Sequence, residues 1–398
     1  MVVMLGHWLQ IFAPQDGILS YVATAGEPFG FIAVIVFFIL SGFVIGHSVR
    51  PAPDRAAVKA YLLKRFIRLY PIYIAALTFS FLVAGASIVS LYFAGHAVFL
   101  QNTIIDTIES NGPLWSLNNE VCYYIVFLVL WIYPRSLIPF WCAAIAAAIV
   151  ASLDATWYFN LAGLFAFWLF GLSLSRHPKD LKNFVIDTAA PRFWLPFFLL
   201  GAYASSGMAN AIMRRLGFDS GLAFMTFLNG ALILDLFLGV LGKKIARPWA
   251  VPFYFLSATS VVAGLIHAVQ AQKFTGVANY SAAALYAVLA VIDLIFSLQS
   301  PSSAQWSRLA PIGGISYALY VVHFPIMFAL SKYLPGHWPA AILAMPLAFA
   351  TAAFLEGFMQ PRIRRAFFYL IGGESGGGRA AELAAAQPDD VVRSYADR

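Results

Sequence analysis

From Phe29 to Val49 the chain carries no Asp, Glu, Lys or Arg, and runs of this kind return along almost its whole length. An α-helix needs about 20 apolar residues to cross a bilayer core. In that core every backbone N–H and C=O must find a partner within the protein, and a helix supplies those partners within one segment. Repeated runs therefore commit the chain to an all-α fold, a polytopic transmembrane helical bundle of about 10–12 helices. Composition agrees: 61% of residues are hydrophobic and 11% charged, against about 25% charged in a soluble domain. Cys122 and Cys142, the only cysteines, both fall inside apolar runs, so neither a disulfide framework nor a cysteine metal site is expected. The net charge of +7 would suggest nucleic acid in a soluble chain. Here the basic residues gather between apolar runs, as cytoplasmic loops do, so the expected partner is the lipid bilayer and not nucleic acid.

Taken in order, Met1–Phe12 is too short to span. Either it crosses partly or the true start lies upstream. It has no basic leader and no small-residue cleavage site, so a cleavable signal is not expected. Phe29–Val49 spans, Ser48–Lys64 carries Arg50, Arg55, Lys59 and Lys64 on the cytoplasmic side, and Phe66–Gly85 returns. Ala86–Ile105 is apolar but interrupted by Gly95, His96, Gln101 and Asn102. Reading it as a re-entrant or surface helix keeps the later basic loops inside, as charge bias favours; Arg214 and Arg215 run against that scheme. Further spans are expected at Val121–Tyr133, Leu137–Leu153, Tyr158–Ser175, Phe193–Ser206, Gly221–Leu241, Trp249–Val269, Tyr280–Ser297, Ile312–Leu330 and Ala340–Phe358. One membrane domain, 1–371, is followed by a Gly-rich, polar segment, 372–398, expected to be a disordered cytoplasmic tail.

Polar residues within apolar runs are candidates for function. His7 suits a general base, or else a packing histidine. Arg65 and Arg68, three residues apart on a helix and joined by Lys64, suit phosphate binding; snorkelling at the membrane boundary is the plainer role. Ser116 is placed to cap a helix, with Glu120 one turn in, facing Tyr123 or Tyr124. Glu120 is then a capping residue, or it orients a histidine or binds a hydroxylated acceptor. Ser316, Tyr320 and His323 share one helical stripe before Pro325, either lining a cavity or forming a polar seam. Asp235, Asp293 and Glu356 interrupt apolar runs singly, without a second carboxylate at metal-ligand spacing. No nucleotide-binding loop or nucleophile elbow is evident.

Four segments, in order, resemble motifs of the acyltransferase-3 family of membrane O-acyltransferases. Val36–Gly42 (VFFILSG) is similar to its FF-hydrophobic-SG motif. Lys64–Pro71 (KRFIRLYP) is similar to its R-x-x-R-hydrophobic-Y-P motif. Leu114–Tyr124 (LWSLNNEVCYY) resembles W-S-L-x-x-E-x-x-Y/F-Y, and Ile315–Pro325 (ISYALYVVHFP) resembles S-Y-x-x-Y-hydrophobic-x-H-x-P. The resemblance implies transfer of an acyl group, usually acetyl, from cytoplasmic acyl-CoA to a hydroxyl of a glycan, a lipid-linked saccharide or a small hydroxylated acceptor. It implies no tightly bound cofactor, with acetyl-CoA as donor substrate, in a bacterial inner membrane. His7 is then catalytic, with Glu120 beside it in the motif set, and Lys64, Arg65 and Arg68 hold the donor. Trp115, Ser116, Tyr124, Tyr320 and His323 are expected to line the substrate.

Two departures stand out. The family has an arginine about ten residues before its first histidine, whereas this sequence begins at Met1, only six residues before His7; a truncated first helix is expected. The family's Glu-x-Pro near the last helix reads Met359-Gln360-Pro361 here, with Glu356 one turn earlier. The rival readings are a transporter, which interrupted helices also suit, and a catalytically impaired relative.

Overall fold

A computed structural model describes residues 1–13, 18–49, 53–132, 136–154, 159–188, 192–205, 221–270, 277–301, 305, 307, 308 and 310–372. The tail expected to be disordered lies, from residue 373 on, outside the described residues, as do Arg214 and Arg215. The helices are α1 (Val2–Phe12), α2 (Ile18–Ser48), α3 (Arg55–Ala84), α4 (Leu91–Ala97), α5 (Trp115–Ile132), α6 (Ile138–Asp154) and α7 (Leu164–Arg176). They continue as α8 (Trp194–Ser205), α9 (Gly221–Val240), α10 (Arg247–Gln270), α11 (Val277–Phe296), α12 (Ser316–Tyr333), α13 (His337–Phe354) and α14 (Gln360–Gly372). The all-α expectation holds. Among the described residues, five segments are long and apolar enough to cross a membrane: Phe29–Ser48, Arg55–Ala84, Glu109–Ile132, Arg247–Ile266 and Trp338–Phe367; six shorter apolar helices accompany them. Leu82, Phe255 and Ile342 face outward, while Phe38, Tyr73, Phe81, Phe127, Trp168 and Met327 fill a continuous core.

Sequence and structure differ first at α3. The basic stretch read as a cytoplasmic turn is already helical. Asp54 caps it, its Oδ1 accepting from the Ala57 N–H at 2.6 Å, and the helix runs unbroken through Pro71 to Ala84. Apolar periodicity begins only near Phe66, so the hydropathy pattern missed the polar first turns. At 1.5 Å per residue, Arg65 and Arg68 lie about 15 and 20 Å along this helix rather than at its start.

A two-stranded antiparallel sheet, its strands far apart in the chain, also has no counterpart in the sequence reading. β1 (Val185–Asp187) pairs antiparallel with β2 (Lys243–Ile245), each too short for a period-2 signal. It accounts for the carboxylate inside α9: Asp235 accepts from the Ile245 N–H at 2.7 Å and from the Tyr254 hydroxyl at 2.6 Å. Asp293 likewise accepts from the Leu298 N–H at 3.0 Å, ending α11.

Helices α2 and α7 meet at glycines. A Cβ on Gly42 would lie 2.0 Å from the Trp168 carbonyl oxygen, and one on Gly171 would lie 1.9 Å from that of Ile39. With Gly46, Gly42 completes a G-x-x-x-G pattern, which lets membrane helices approach backbone to backbone.

Between α3 and α5 the chain forms the seven-residue α4, too short to cross, followed by a loop that folds back. Buried His96 organises it. Its Nδ1 faces the Tyr92 carbonyl at 2.9 Å, so Nδ1 carries the proton, and its Nε2 accepts from the Ile108 N–H at 3.2 Å. Both nitrogens are used in the neutral form. Burial lowers the His96 pKa below the ordinary value of 6.5. The unfolded chain then binds the extra proton first, so stability is complete above about pH 6.5 and declines as pH falls toward the lowered folded value. The melting midpoint is expected to drop between pH 7 and pH 5, with a shallower drop in His96→Asn. An unchanged slope in the variant would remove His96 as the cause.

Candidate active site

Two polar centres lie within the bundle, joined by α12. The first is a histidine pair. Nδ1 of His7, on α1, lies 2.8 Å from Nε2 of His323, on α12, and the rings stack with centroids 5.2 Å apart. Nδ1 of His323 lies 3.0 Å from the Leu319 carbonyl oxygen. A carbonyl only accepts, so His323 Nδ1 bears a proton and its Nε2 is the acceptor. His7 Nδ1–H therefore donates to it, leaving the His7 Nε2 lone pair as the group available to a substrate. The arrangement suits a general base: the second nitrogen is oriented by another ring, itself oriented by a backbone carbonyl. The His7 ring is further held by the edge of Phe324, with centroids 5.1 Å apart. Neighbouring Trp8 donates its indole N–H to the Ala341 carbonyl at 2.8 Å, tying α1 to α13.

Beside this pair, the Tyr320 ring centroid is 5.9 Å from that of His323. The Tyr320 hydroxyl donates to the Pro113 carbonyl at 2.8 Å and meets Ser116 Oγ at 2.5 Å. Ser116 is thus not the helix cap expected from sequence. Helix α5 already starts at Trp115, and the Ser116 hydroxyl is turned to Tyr320. Trp115 is half-buried and stacks on Phe31 at 6.2 Å. Ser316 leaves the expected stripe: it is exposed, and its hydroxyl donates to the Gly313 carbonyl at 2.7 Å. Only Tyr320 and His323 of that stripe face the site.

The second centre gathers around Glu120 and the arginines of α3. Buried Glu120 accepts from the Ser41 hydroxyl at 3.1 Å and from the Tyr124 hydroxyl. Ser41 in turn accepts from the Trp168 indole at 3.3 Å. Glu120 also lies within electrostatic reach of Arg65 and Arg68. The expectation that Glu120 orients a histidine is corrected here: His323, not a carboxylate, is the group on His7. Arg65 lies over the Tyr61 and Tyr124 rings at 5.6 and 5.3 Å and reaches Ser48 at 3.5 Å. Arg68 pairs with Glu356 at 2.7 Å and lies over the Tyr317 ring at 5.7 Å. Lys64 is exposed. Glu356, the acid one turn before Gln360, sits in a π-helical turn, Leu355–Met359, that interrupts the step from α13 to α14. Sequence alone gave no sign that it meets Arg68, because the two are 288 residues apart.

Tyr317 links the centres. Its hydroxyl donates to the Leu69 carbonyl at 2.8 Å, and His323 follows six residues later, about 9 Å along α12. Through Tyr317, α12 thus joins the helix that carries the arginines to the helix turn that carries His323, against which His7 of α1 packs. Two cavities, of about 280 and 720 Å³, lie elsewhere, around Trp141 and Phe170 and around Arg55 and Lys59, and His7 and His323 line neither. Among the described residues no group of three or more His, Cys, Asp and Glu side chains is placed to hold a metal ion.

A bundle of apolar helices with a hydrogen-bonded histidine pair and two arginines on one of its helices defines a class of membrane protein, and comparison identifies it. The acyltransferase-3 profile, described as an acyltransferase domain, matches residues 1–357; the chain belongs to this family and is an integral membrane protein. Among curated proteins it is similar to the acyltransferase MdmB of Streptomyces mycarofaciens, with 36% identity over 163 residues, 35% of this chain and 39% of that relative. The chain thus matches well under half the length of that relative. No solved structure matches it.

Proposed function

We propose that the protein is a membrane O-acyltransferase that moves an acyl group, acetyl in the first instance, from cytoplasmic acyl-CoA to a hydroxyl of a glycan, a lipid-linked saccharide or a small hydroxylated acceptor. The membrane is a bacterial cytoplasmic membrane, multiply crossed. The observation that carries this reading is the free Nε2 of His7, opposite an Nδ1–H held by His323. An acceptor hydroxyl at that nitrogen gives up its proton as its oxygen attacks the thioester carbonyl. The carbon–sulfur bond breaks, and the CoA thiolate leaves and takes a proton. During attack the charge on the His7 ring is shared through His323 toward the Leu319 carbonyl.

Arg65, Arg68 and Lys64 suit the phosphates of the donor, and the pantetheine arm covers the stretch along α12 from Tyr317 to His323. Arg68 is already paired with Glu356, so Arg65 and Lys64 offer the readier cations. Glu120, hydrogen-bonded to Ser41 and Tyr124, holds the donor-side wall and its arginines in place rather than moving a proton at His7. Trp115, Ser116 and Tyr320 line the acceptor side.

The test is transfer itself. Purified protein in liposomes, given acetyl-CoA and a panel of saccharide and small hydroxylated acceptors, is expected to release CoA in step with acylated product. Acceptor flux across the liposome without CoA release would establish a transporter instead. Arg65→Ala is expected to raise the KM for acetyl-CoA about tenfold or more, the loss of one charged hydrogen bond. An unchanged KM would move the donor site away from α3.

A further inference from the structure

Two prolines interrupt the helices that carry the candidate chemistry: Pro71 in α3 and Pro325 in α12. Proline has no N–H, so each leaves the carbonyl four residues earlier without its helical donor. Those carbonyls belong to Ile67 and Val321. Each is met by a side-chain amide from a distant part of the chain. Asn111 Nδ2 lies 3.0 Å from the Val321 oxygen, and Gln360 Nε2 lies 2.5 Å from the Ile67 oxygen.

We infer that Asn111 and Gln360 are positioning residues that replace the helical N–H lost at Pro325 and Pro71, and so fix the turns bearing His323 and the Arg65–Arg68 pair. The orientation of both amides follows from their partners. A carbonyl only accepts, so the nitrogen must face it; a flipped amide would set oxygen against oxygen. Asn111 is fully buried, and Gln360 is only 7% exposed. In both, the amide oxygen is buried with no hydrogen-bond partner. A buried amide with an unused oxygen is costly, and in both residues the nitrogen is the atom put to use. Asn111 is held in place for this. It sits at a non-helical φ of −152°, its Nδ2 also donates to Ser80 Oγ at 3.0 Å, and the adjacent Ser110 hydroxyl donates to the Ser80 carbonyl at 2.8 Å. Val321 is two residues before His323 and Pro325 two after. Ile67 lies between the two arginines.

This inference rests on the proposed function only for its kinetic effect. The test is a double-substitution cycle at each pair, read by both melting midpoint and kinetics. Asn111→Ala is expected to lower the midpoint and to cut kcat about tenfold, with the KM for acetyl-CoA within about twofold, because the His323 turn loosens and the donor patch does not. Pro325→Ala restores a backbone N–H to Val321. In that background Asn111→Ala is expected to cost little in either readout. Gln360→Ala with Pro71→Ala should show the same coupling, but with the kinetic effect in KM. Additive effects in the melting cycles would overturn the inference, whatever the activity. Coupled melting midpoints without any acyl transfer by the unaltered protein would keep the caps and overturn the functional reading. Should Asn111→Ala not accumulate, recovery of folded protein in Asn111→Ala/Pro325→Ala supports the cap, and failure of that double variant where Pro325→Ala alone accumulates overturns it.

Discussion

Replacing His7 with alanine is expected to lower acyl transfer by about 10²–10⁴-fold, the range that a positioned general base contributes. The protein should remain folded and should still bind acetyl-CoA. His7 is on the short α1, half-buried, and its ring joins one hydrogen bond, to His323 at 2.8 Å; the arginines of α3, proposed to hold the donor, are untouched by its loss. The defect should therefore fall on kcat and spare KM. His323→Ala should produce a large defect too, since it removes the acceptor that keeps the His7 proton on Nδ1. The double variant should be little worse than either alone, because the two rings act as one unit. Undiminished transfer in His7→Ala would return His7 to a packing role and leave the base to be found elsewhere.

The second large effect concerns folding. Gly171→Ala places a methyl group 1.9 Å from the Ile39 carbonyl oxygen, and Gly42→Ala places one 2.0 Å from that of Trp168. Both obstacles are backbone, so no rotamer relieves them, and α2 and α7 must move apart. Overpacking of this kind costs about 1–3 kcal/mol, occasionally more. Separation also pulls Ser41, adjacent to Gly42, away from Glu120 and Trp168. Each variant should give a lower melting midpoint and less monodisperse protein in detergent, and the activity that remains should fall. Gly30→Ala is the internal comparison: it lies on the same α2, and an added Cβ there meets nothing within 4 Å. Equal behaviour of Gly30→Ala and Gly171→Ala would show that the close approach does not limit stability.

Hydropathy carried most of the fold, because a bilayer leaves an apolar run few alternatives to a helix. It failed where its period was absent: in the polar first turns of α3, and in a two-stranded sheet with three residues to a strand. The G-x-x-x-G of Gly42 and Gly46 was present in the sequence and would have marked the contact of α2 with α7. The candidate residues were legible one at a time, as polar groups in apolar surroundings. Their grouping was not. Glu120 and His323 carry nothing in their own neighbourhoods to say that the first joins Arg65 and Arg68 while the second meets His7. Long-range pairings such as Arg68 with Glu356 have no local signal at all. Pro71 and Pro325 were visible within motifs, but the amides that answer them lie far away in sequence.

The hydrogen bond between His7 and His323 closes a loop of 316 residues. At about 5–20 residues per second of synthesis, α1 waits on the order of 15 to 60 s before its partner helix exists. Through that interval the arginines of α3 can already stand in the membrane with Tyr61, Ser48 and Glu120, all made early, while the oriented base is missing. Under the proposed reaction, a nascent chain meets its donor before His7 has the partner that orients it. Helix α12, made late, is the completing piece, and under the proposed reaction chains that stall before it should be inert rather than wasteful.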